Sequence, residues 1–208
     1  MNEPNRDISP DAPHKVQLYL ASASPRRREL LESVGLQFAV VSAEIDETRH
    51  SGESPDVWVA RLATDKARQA AFRLASTNWK KRPVVAADTC VVVDREVFGK
   101  PKDPDNAGYM LRRLAGRGHQ VLTAVTVMRD RDVFSALSRS TVTMKPLSDE
   151  EIERYCRSSE PMDKAGAYAI QGLAGGFVEH LEGSFTGVMG LPMFELRTLL
   201  NRVGIDWI

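Results

Sequence analysis

Three consecutive arginines, Arg26, Arg27 and Arg28, follow Ser22, Ser24 and Pro25 where an apolar stretch gives way to a helical pattern. These residue types at this spacing suit anion binding. Ser24 is a favourable N-cap and Pro25 a favourable first helical residue, because the N–H that proline lacks would have no partner there. Free backbone N–H groups and the positive pole of the helix dipole attract an anion. Arginines in a first turn oppose that dipole, which favours Asp or Glu, and a bound polyanion would offset the conflict. The plainer alternative is a solvated basic face behind serines that only cap.

Asp88 is the second marked residue. It sits in Pro83-Val-Val-Ala-Ala-Asp-Thr-Cys-Val-Val-Val93, a nearly continuous run of small and β-branched residues that reads as a strand buried on both faces. A carboxylate there is costly unless it is hydrogen-bonded, metal-bound or at a cleft. The plainer reading is a bulge or turn where a short strand ends.

Together, Arg26, Arg27, Lys66 and Lys100 supply cations, and Glu47 and Asp88 supply carboxylates. Arginine clamps phosphate oxygens bidentately and lysine acts as a point charge. One charge pair at 4 Å gives ~1 kcal/mol in water but ~4 kcal/mol at an effective dielectric near 20. The cations therefore matter only if they converge on an enclosed cleft. Carboxylates would repel a triphosphate unless a divalent cation bridges them, and magnesium is often held by one or two carboxylates plus phosphates. A carboxylate can also activate water, an effect of roughly two to four powers of ten in rate. Neither a Walker A loop nor a GxGxxG fingerprint is present. Residue chemistry leads to a metal-assisted phosphoanhydride hydrolase, without identifying the base or the bond cut.

The elements that must position these residues alternate along the chain. A short strand at Leu18 precedes the arginine helix, which ends near Gly35, and Gln37–Val41 reads as a strand. Ser42–Ser54 is a polar loop holding Glu44, Asp46 and Glu47. A long helix starts at Pro55, capped by Ser54, with Val57, Leu62, Ala63, Ala67, Ala70, Ala71 and Leu74 as its apolar stripe and Lys66 off its strongest part. After the Asp88 strand come a hairpin turn at Asp94 and a helix capped by Asp103 and closed by Gly116. Strands follow at Gln120–Met128 and Val133–Met144. Ser148-Asp-Glu-Glu151 is a capping box. Gly175–Gly183 reads as a strand, Gly183–Gly190 as a glycine-punctuated loop and Pro192–Val203 as the last helix. Such alternation predicts an α/β fold on a mixed sheet, with ligands beyond the carboxyl ends of strands.

Composition narrows the partners. The 208 residues carry 28 lysines and arginines against 28 aspartates and glutamates, so no global field favours nucleic acid or an anionic membrane. Cys90 and Cys156 form no CxxC pair, and the four histidines form no ligand motif. No apolar run approaches membrane-spanning length, and the cytoplasm is the economical compartment. Met1–His14 reads as a disordered leader before one domain spanning 15–208.

The chain resembles the Maf-like nucleoside triphosphate pyrophosphatases from about Tyr19 to Leu200. The motifs are Leu20-Ala-Ser-Ala-Ser-Pro-Arg-Arg27, Ala87-Asp-Thr89, Gly99-Lys-Pro101, Asp163-Lys-Ala-Gly166, Ala169-Ile-Gln-Gly172 and Gly190-Leu-Pro192. The resemblance implies cleavage between the α- and β-phosphates with Mg²⁺ or Mn²⁺. It also implies a curved mixed sheet flanked by helices, two lobes around a deep cleft as in inosine triphosphatases, and a homodimer. Asp88 matches the family's proton acceptor and, with Glu47, its metal ligands. Ser22, Arg27, Lys66 and Lys100 match its phosphate-binding positions. Arg26, Thr89 and Gln171 occupy the subfamily-determining positions, and this set is similar to the dTTP/UTP branch rather than the 7-methyl-GTP branch. Gln171 can offer both donor and acceptor to a uracil or thymine edge. The competing readings are a nucleotide-sensing or division-control protein with secondary or no hydrolysis, and the 7-methyl-GTP-specific branch.

Overall fold

The computed structural model describes residues 16–208; the leader reading for Met1–His14 lies outside them. β1 (Leu18–Leu20) leads through the serine turn into α1 (Pro25–Ser33), then to β2 (Phe38–Val40) and α2 (Pro55–Ala75). β3 (Val84–Val93) and β4 (Glu96–Phe98) form a hairpin, followed by α3 (Pro104–Leu114). β5 (Gly118–Arg129) and β6 (Asp132–Met144) form a long ladder, followed by α4 (Asp149–Cys156), β7 (Val178–Glu182), α5 (Phe185–Met189) and α6 (Met193–Arg202). The sheet is mixed, in the order β2-β1-β3-β5-β6-β7, with β4 also on β3. β1 runs parallel to β2 and β3, whereas β3, β5, β6 and β7 pair antiparallel. The α/β expectation therefore holds.

The pairing of β3 creates an opening. On one flank β1 pairs only as far as Leu20 with Val85, and β4 begins pairing only at Val91 with Phe98. Between these points that flank has no strand neighbour, and Asp88 and Thr89 lie in the gap. On the other flank β5 pairs without interruption from Val84 to Val92.

Side chains alternate across the sheet. On one face Val85 and Ala87 join Val125, Val127 and the buried leucines of α1 and α6 in one apolar cluster. At the other end of the same face Val91 and Val93 join Val121, Val142 and residues of α3 and α4 in a second. Thr89, Thr123 and Ser138, adjacent in register, form a polar row between them. The opposite face is covered by α2, whose Ala63, Ala67 and Ala70 are fully buried and let the helix lie close to the strands.

Several local expectations need correction. Val57 is 55 % exposed rather than part of the buried stripe, because two residues turn a helix by about 200° and the covered face runs through Val59, Ala63, Ala67 and Ala70. Ser24 and Ser54 occupy N-cap positions, but neither hydroxyl caps its helix. Ser54 Oγ instead donates to Asp56 Oδ1 at 2.5 Å. The strand expected from Gly175 starts only at Val178, since Leu173–Phe177 closes into a 3₁₀ turn. The glycine-punctuated loop contains α5, capped by Ser184 Oγ on the Gly187 N–H and ended by Gly190 in the left-handed region, φ 110°. The capping box of α4 is formed as expected by Ser148 and Glu151. No helix among the described residues is long and apolar enough to cross a membrane.

Candidate active site

A cleft of about 1310 Å³ opens along the unpaired flank of β3, and Ser22, Arg26, Arg27, Glu47, Lys66, Asp88, Thr89, Lys100 and Gln171 all line it. Strand alternation sends Asp88 and Thr89 to opposite faces of the sheet, and the gap makes both reachable from one side. On the α2 side, Asp88 is buried, and its Oδ1 accepts from Lys66 Nζ at 2.5 Å. Lys66 Nζ also lies 2.7 Å from Glu47 Oε1 on the Ser42–Ser54 loop. Asp88 Oδ2 accepts no hydrogen bond among the described residues, and Asp88 lines the cleft.

The Glu47 loop is fastened to α2 at several points. Trp58 Nε1 donates to the Glu47 carbonyl at 3.1 Å. Arg61 donates to both carboxylate oxygens of Glu53, at 2.7 and 2.9 Å, and to the Thr48 carbonyl at 3.0 Å. These charge-assisted bonds hold the Glu53 carboxyl down at about 2. Polar loop residues thus gain a fixed geometry from one helix face.

On the α1 side, Arg27 is the organising cation. Its Nε donates to the Gly190 carbonyl at 2.7 Å, and its terminal nitrogens donate to Ser22 Oγ at 3.0 Å and Thr89 Oγ1 at 3.4 Å. Thr89 Oγ1 also lies 3.0 Å from Thr123 Oγ1; the single Thr123 proton goes to the Gly187 carbonyl at 2.7 Å, so Thr89 donates to Thr123 while accepting from Arg27. Burial pushes the Arg27 guanidinium below its usual value, and the charge of Asp88 is the larger of the pulls that raise it again.

The three arginines therefore have three different fates. Arg26 crosses the cleft mouth to Asp163, pairing with its carboxylate at 2.9 Å and its carbonyl at 3.1 Å. Arg28 turns back to the Ala23 carbonyl at 3.1 Å. Lys100 is exposed on the far wall and makes no ion pair among the described residues, so its ammonium is available to an anion. Gln171 is exposed on a third wall, in the segment before the Leu173–Phe177 turn. Sequence reasoning did not find the Asp163 partner of Arg26, the Gly190 acceptor for Arg27, or Thr123. Asp163 and Gly190 belong to the Asp163-Lys-Ala-Gly166 and Gly190-Leu-Pro192 motifs, but nothing in a motif says which distant arginine it meets.

A model of the family described as Maf-like protein matches residues 17–203. The chain belongs to this family. It is 50 % identical over 190 residues to the dTTP/UTP pyrophosphatase of Chromobacterium violaceum, covering 91 % of this chain and 96 % of that one. It is 48 % identical to the dTTP/UTP pyrophosphatase of Alkalilimnicola ehrlichii, covering 93 % and 96 %. It is 47 % identical to the nucleoside triphosphate pyrophosphatase of Haemophilus ducreyi, covering 93 % and 98 %. A remote likeness links it to the Staphylococcus aureus Ham1 structure, with a TM-score of 0.42 and 16 % identity over 77 % of this chain and 90 % of that one.

Proposed function

We propose that this protein hydrolyses dTTP and UTP to the nucleoside monophosphate and pyrophosphate. The observation that carries the reading is the meeting of Asp88 with Lys66 and Arg27 around one cleft, in a chain about half identical to proteins of that name. The free oxygen of Asp88 has the role of the base. It takes a proton from water as the water oxygen bonds to the α-phosphorus and the bond to the bridging oxygen breaks. Pyrophosphate leaves with that electron pair. Arg27 and Lys66 face the charge gathering on the phosphate oxygens, and Lys100 approaches from the opposite wall. Thr89 and Ser22 hold the Arg27 guanidinium in place, so little reorganisation is needed when charge develops.

The donor set fits a divalent cation. Glu47 and Asp88 already converge on one positive centre, the Lys66 ammonium, at 2.7 and 2.5 Å. Among the described residues no three His, Cys, Asp or Glu side chains gather. A pair of hard carboxylates completed by phosphate oxygens and water is the environment magnesium prefers. Glu47 and Asp88 would hold such an ion, which supplies charge neutralisation for the triphosphate.

Base selection is assigned to Gln171, whose amide offers a donor and an acceptor to a uracil or thymine edge, with Arg26 and Thr89 shaping the same cleft. A homodimer, carried by the family resemblance, completes the reading and is testable by light scattering on the eluting protein. Activity is tested by pyrophosphate release from dTTP, UTP and 7-methyl-GTP with Mg²⁺ or Mn²⁺, each repeated with chelator. Release from dTTP and UTP, abolished by chelation, is expected. Tight triphosphate binding without release would establish the sensing alternative instead.

A further inference from the structure

The phosphate chemistry leaves one well-connected carboxylate unused. Glu160 follows α4, and its Oε1 accepts from Tyr155 Oη at 2.8 Å and from the Ala174 N–H at 3.2 Å. Its Oε2 accepts from the Leu173 N–H at 3.0 Å. Tyr155 Oη in turn accepts from the Ala169 N–H at 3.3 Å. The two side chains therefore grip the backbone at both ends of the 169–174 segment, and Gln171 lies between the gripped points.

Glycines make this grip possible. A Cβ at Gly172 would stand 2.2 Å from Glu160 Oε2, inside the space the carboxylate needs to reach the following two N–H groups. A Cβ at Gly175 would stand 2.7 Å from the Ile170 carbonyl oxygen, so the turn closes only without a side chain there. Neither feature touches the Asp88 and Lys66 side of the cleft.

We propose that Glu160, acting with Tyr155, is a positioning residue for base selection. It holds the 169–174 segment so that the Gln171 amide meets the pyrimidine edge already ordered. The proposal rests on the reading of Gln171 as the residue that recognises the base. A segment released from this grip must be ordered by the ligand itself, which weakens binding without altering the groups that cleave the phosphoanhydride.

UTP and CTP differ only at the base edge, so the ratio of their kcat/KM values reports base reading and is insensitive to a general loss of active protein. In Glu160→Ala the UTP:CTP ratio is expected to fall about tenfold, through KM for UTP rather than kcat. Glu160→Gln keeps one acceptor oxygen and should recover part of the loss. Gly172→Ala displaces the carboxylate and should lower the ratio alone, yet add little to Glu160→Ala, as expected of two changes acting through one contact. Tyr155→Phe removes only the phenolic bonds, preserves the buried ring, and provides the readout if Glu160→Ala does not fold. It too should lower the ratio. Gln171→Ala is measured alongside. An unmoved ratio in Gln171→Ala overturns the base-recognition reading and this inference with it. A ratio that moves in Gln171→Ala, yet not in folded Glu160→Ala or Tyr155→Phe, overturns the inference alone.

Discussion

Asp88 and Lys66 belong to different layers of the molecule, a central strand and the helix that covers it, yet their charged atoms stand 2.5 Å apart. Their side chains are only 12 % and 13 % exposed, so the pair is weakly screened. Lys66 reaches past the alanine stripe of α2 to the one carboxylate on that face of β3. A strand built mostly from valine and alanine thereby tolerates an ionised group in its middle.

The first prediction concerns Asp88→Asn. The amide keeps the shape of the site, and Lys66 keeps Glu47 as a partner, so the fold and nucleotide binding should survive. Turnover should fall by about 10²- to 10⁴-fold, the usual contribution of a positioned base. Calorimetry with dTTP and an assay of pyrophosphate release measure the two arms. Unchanged release would remove Asp88 from the chemistry.

Arg27→Lys should be far from conservative. The guanidinium serves Gly190, Ser22 and Thr89 at once, a fork that an ammonium on a flexible stem does not reproduce. Burial already lowers the proton affinity of Arg27, and the same burial acting on a lysine would favour its neutral form. Roughly a 10- to 100-fold loss of kcat/KM is expected, at about 1.4 kcal/mol per tenfold. Activity within twofold of the parent would show that the phosphates are held elsewhere.

Gln171→Glu should shift substrate choice away from dTTP and UTP and towards 7-methyl-GTP. A carboxylate supplies acceptors only, whereas the pyrimidine edge needs a donor as well. Competition between the nucleotides in one reaction gives the preference directly, and an unaltered preference would place base reading on other residues.

His119 gives a pH prediction separate from catalysis. It is buried, its Nε2 shares a hydrogen bond with Tyr168 Oη at 2.8 Å, and its Nδ1 has no partner. Burial pushes its pKa down from 6.5 to about 4. The native state therefore refuses a proton that the unfolded chain accepts. This contribution to stability is fully present above pH 6.5 and is lost as pH falls towards 4, by ~3 kcal/mol in total. His119→Gln, which preserves a partner for Tyr168, should flatten denaturant-midpoint curves across that window. An identical pH slope in the two proteins would contradict the assignment.

Regular periodicity made much of the architecture legible. The apolar run through Asp88 predicted β3, the Asp103 cap and its spacing predicted α3, and Ser148 with Glu151 predicted the start of α4. Short elements were not legible. The five residues of α5 span too few turns to display a stripe, and the Leu173–Phe177 turn depends on contacts with Glu160. In the site, residue types named the charged participants, but pairings across the fold were hidden. Arg26 meets Asp163 and Arg27 meets Gly190 only because the open flank of β3 brings α1 against the far segments. Three like residues in one helical turn carry no sign of such different destinations.

The missing strand beside Asp88 and Thr89 has a consequence for the molecule's behaviour in concentrated solution. An unpaired edge invites the backbone of a neighbouring molecule to add itself to the sheet. Here Arg27 and Lys66 crowd that edge with charge, and a foreign strand would have to strip their solvent and break their pairings to dock. The side chains assigned to gripping phosphate thus also act as gatekeepers against aggregation. Replacing both with apolar residues should make the protein scatter light on warming, whereas Asp88→Asn alone should leave it clear.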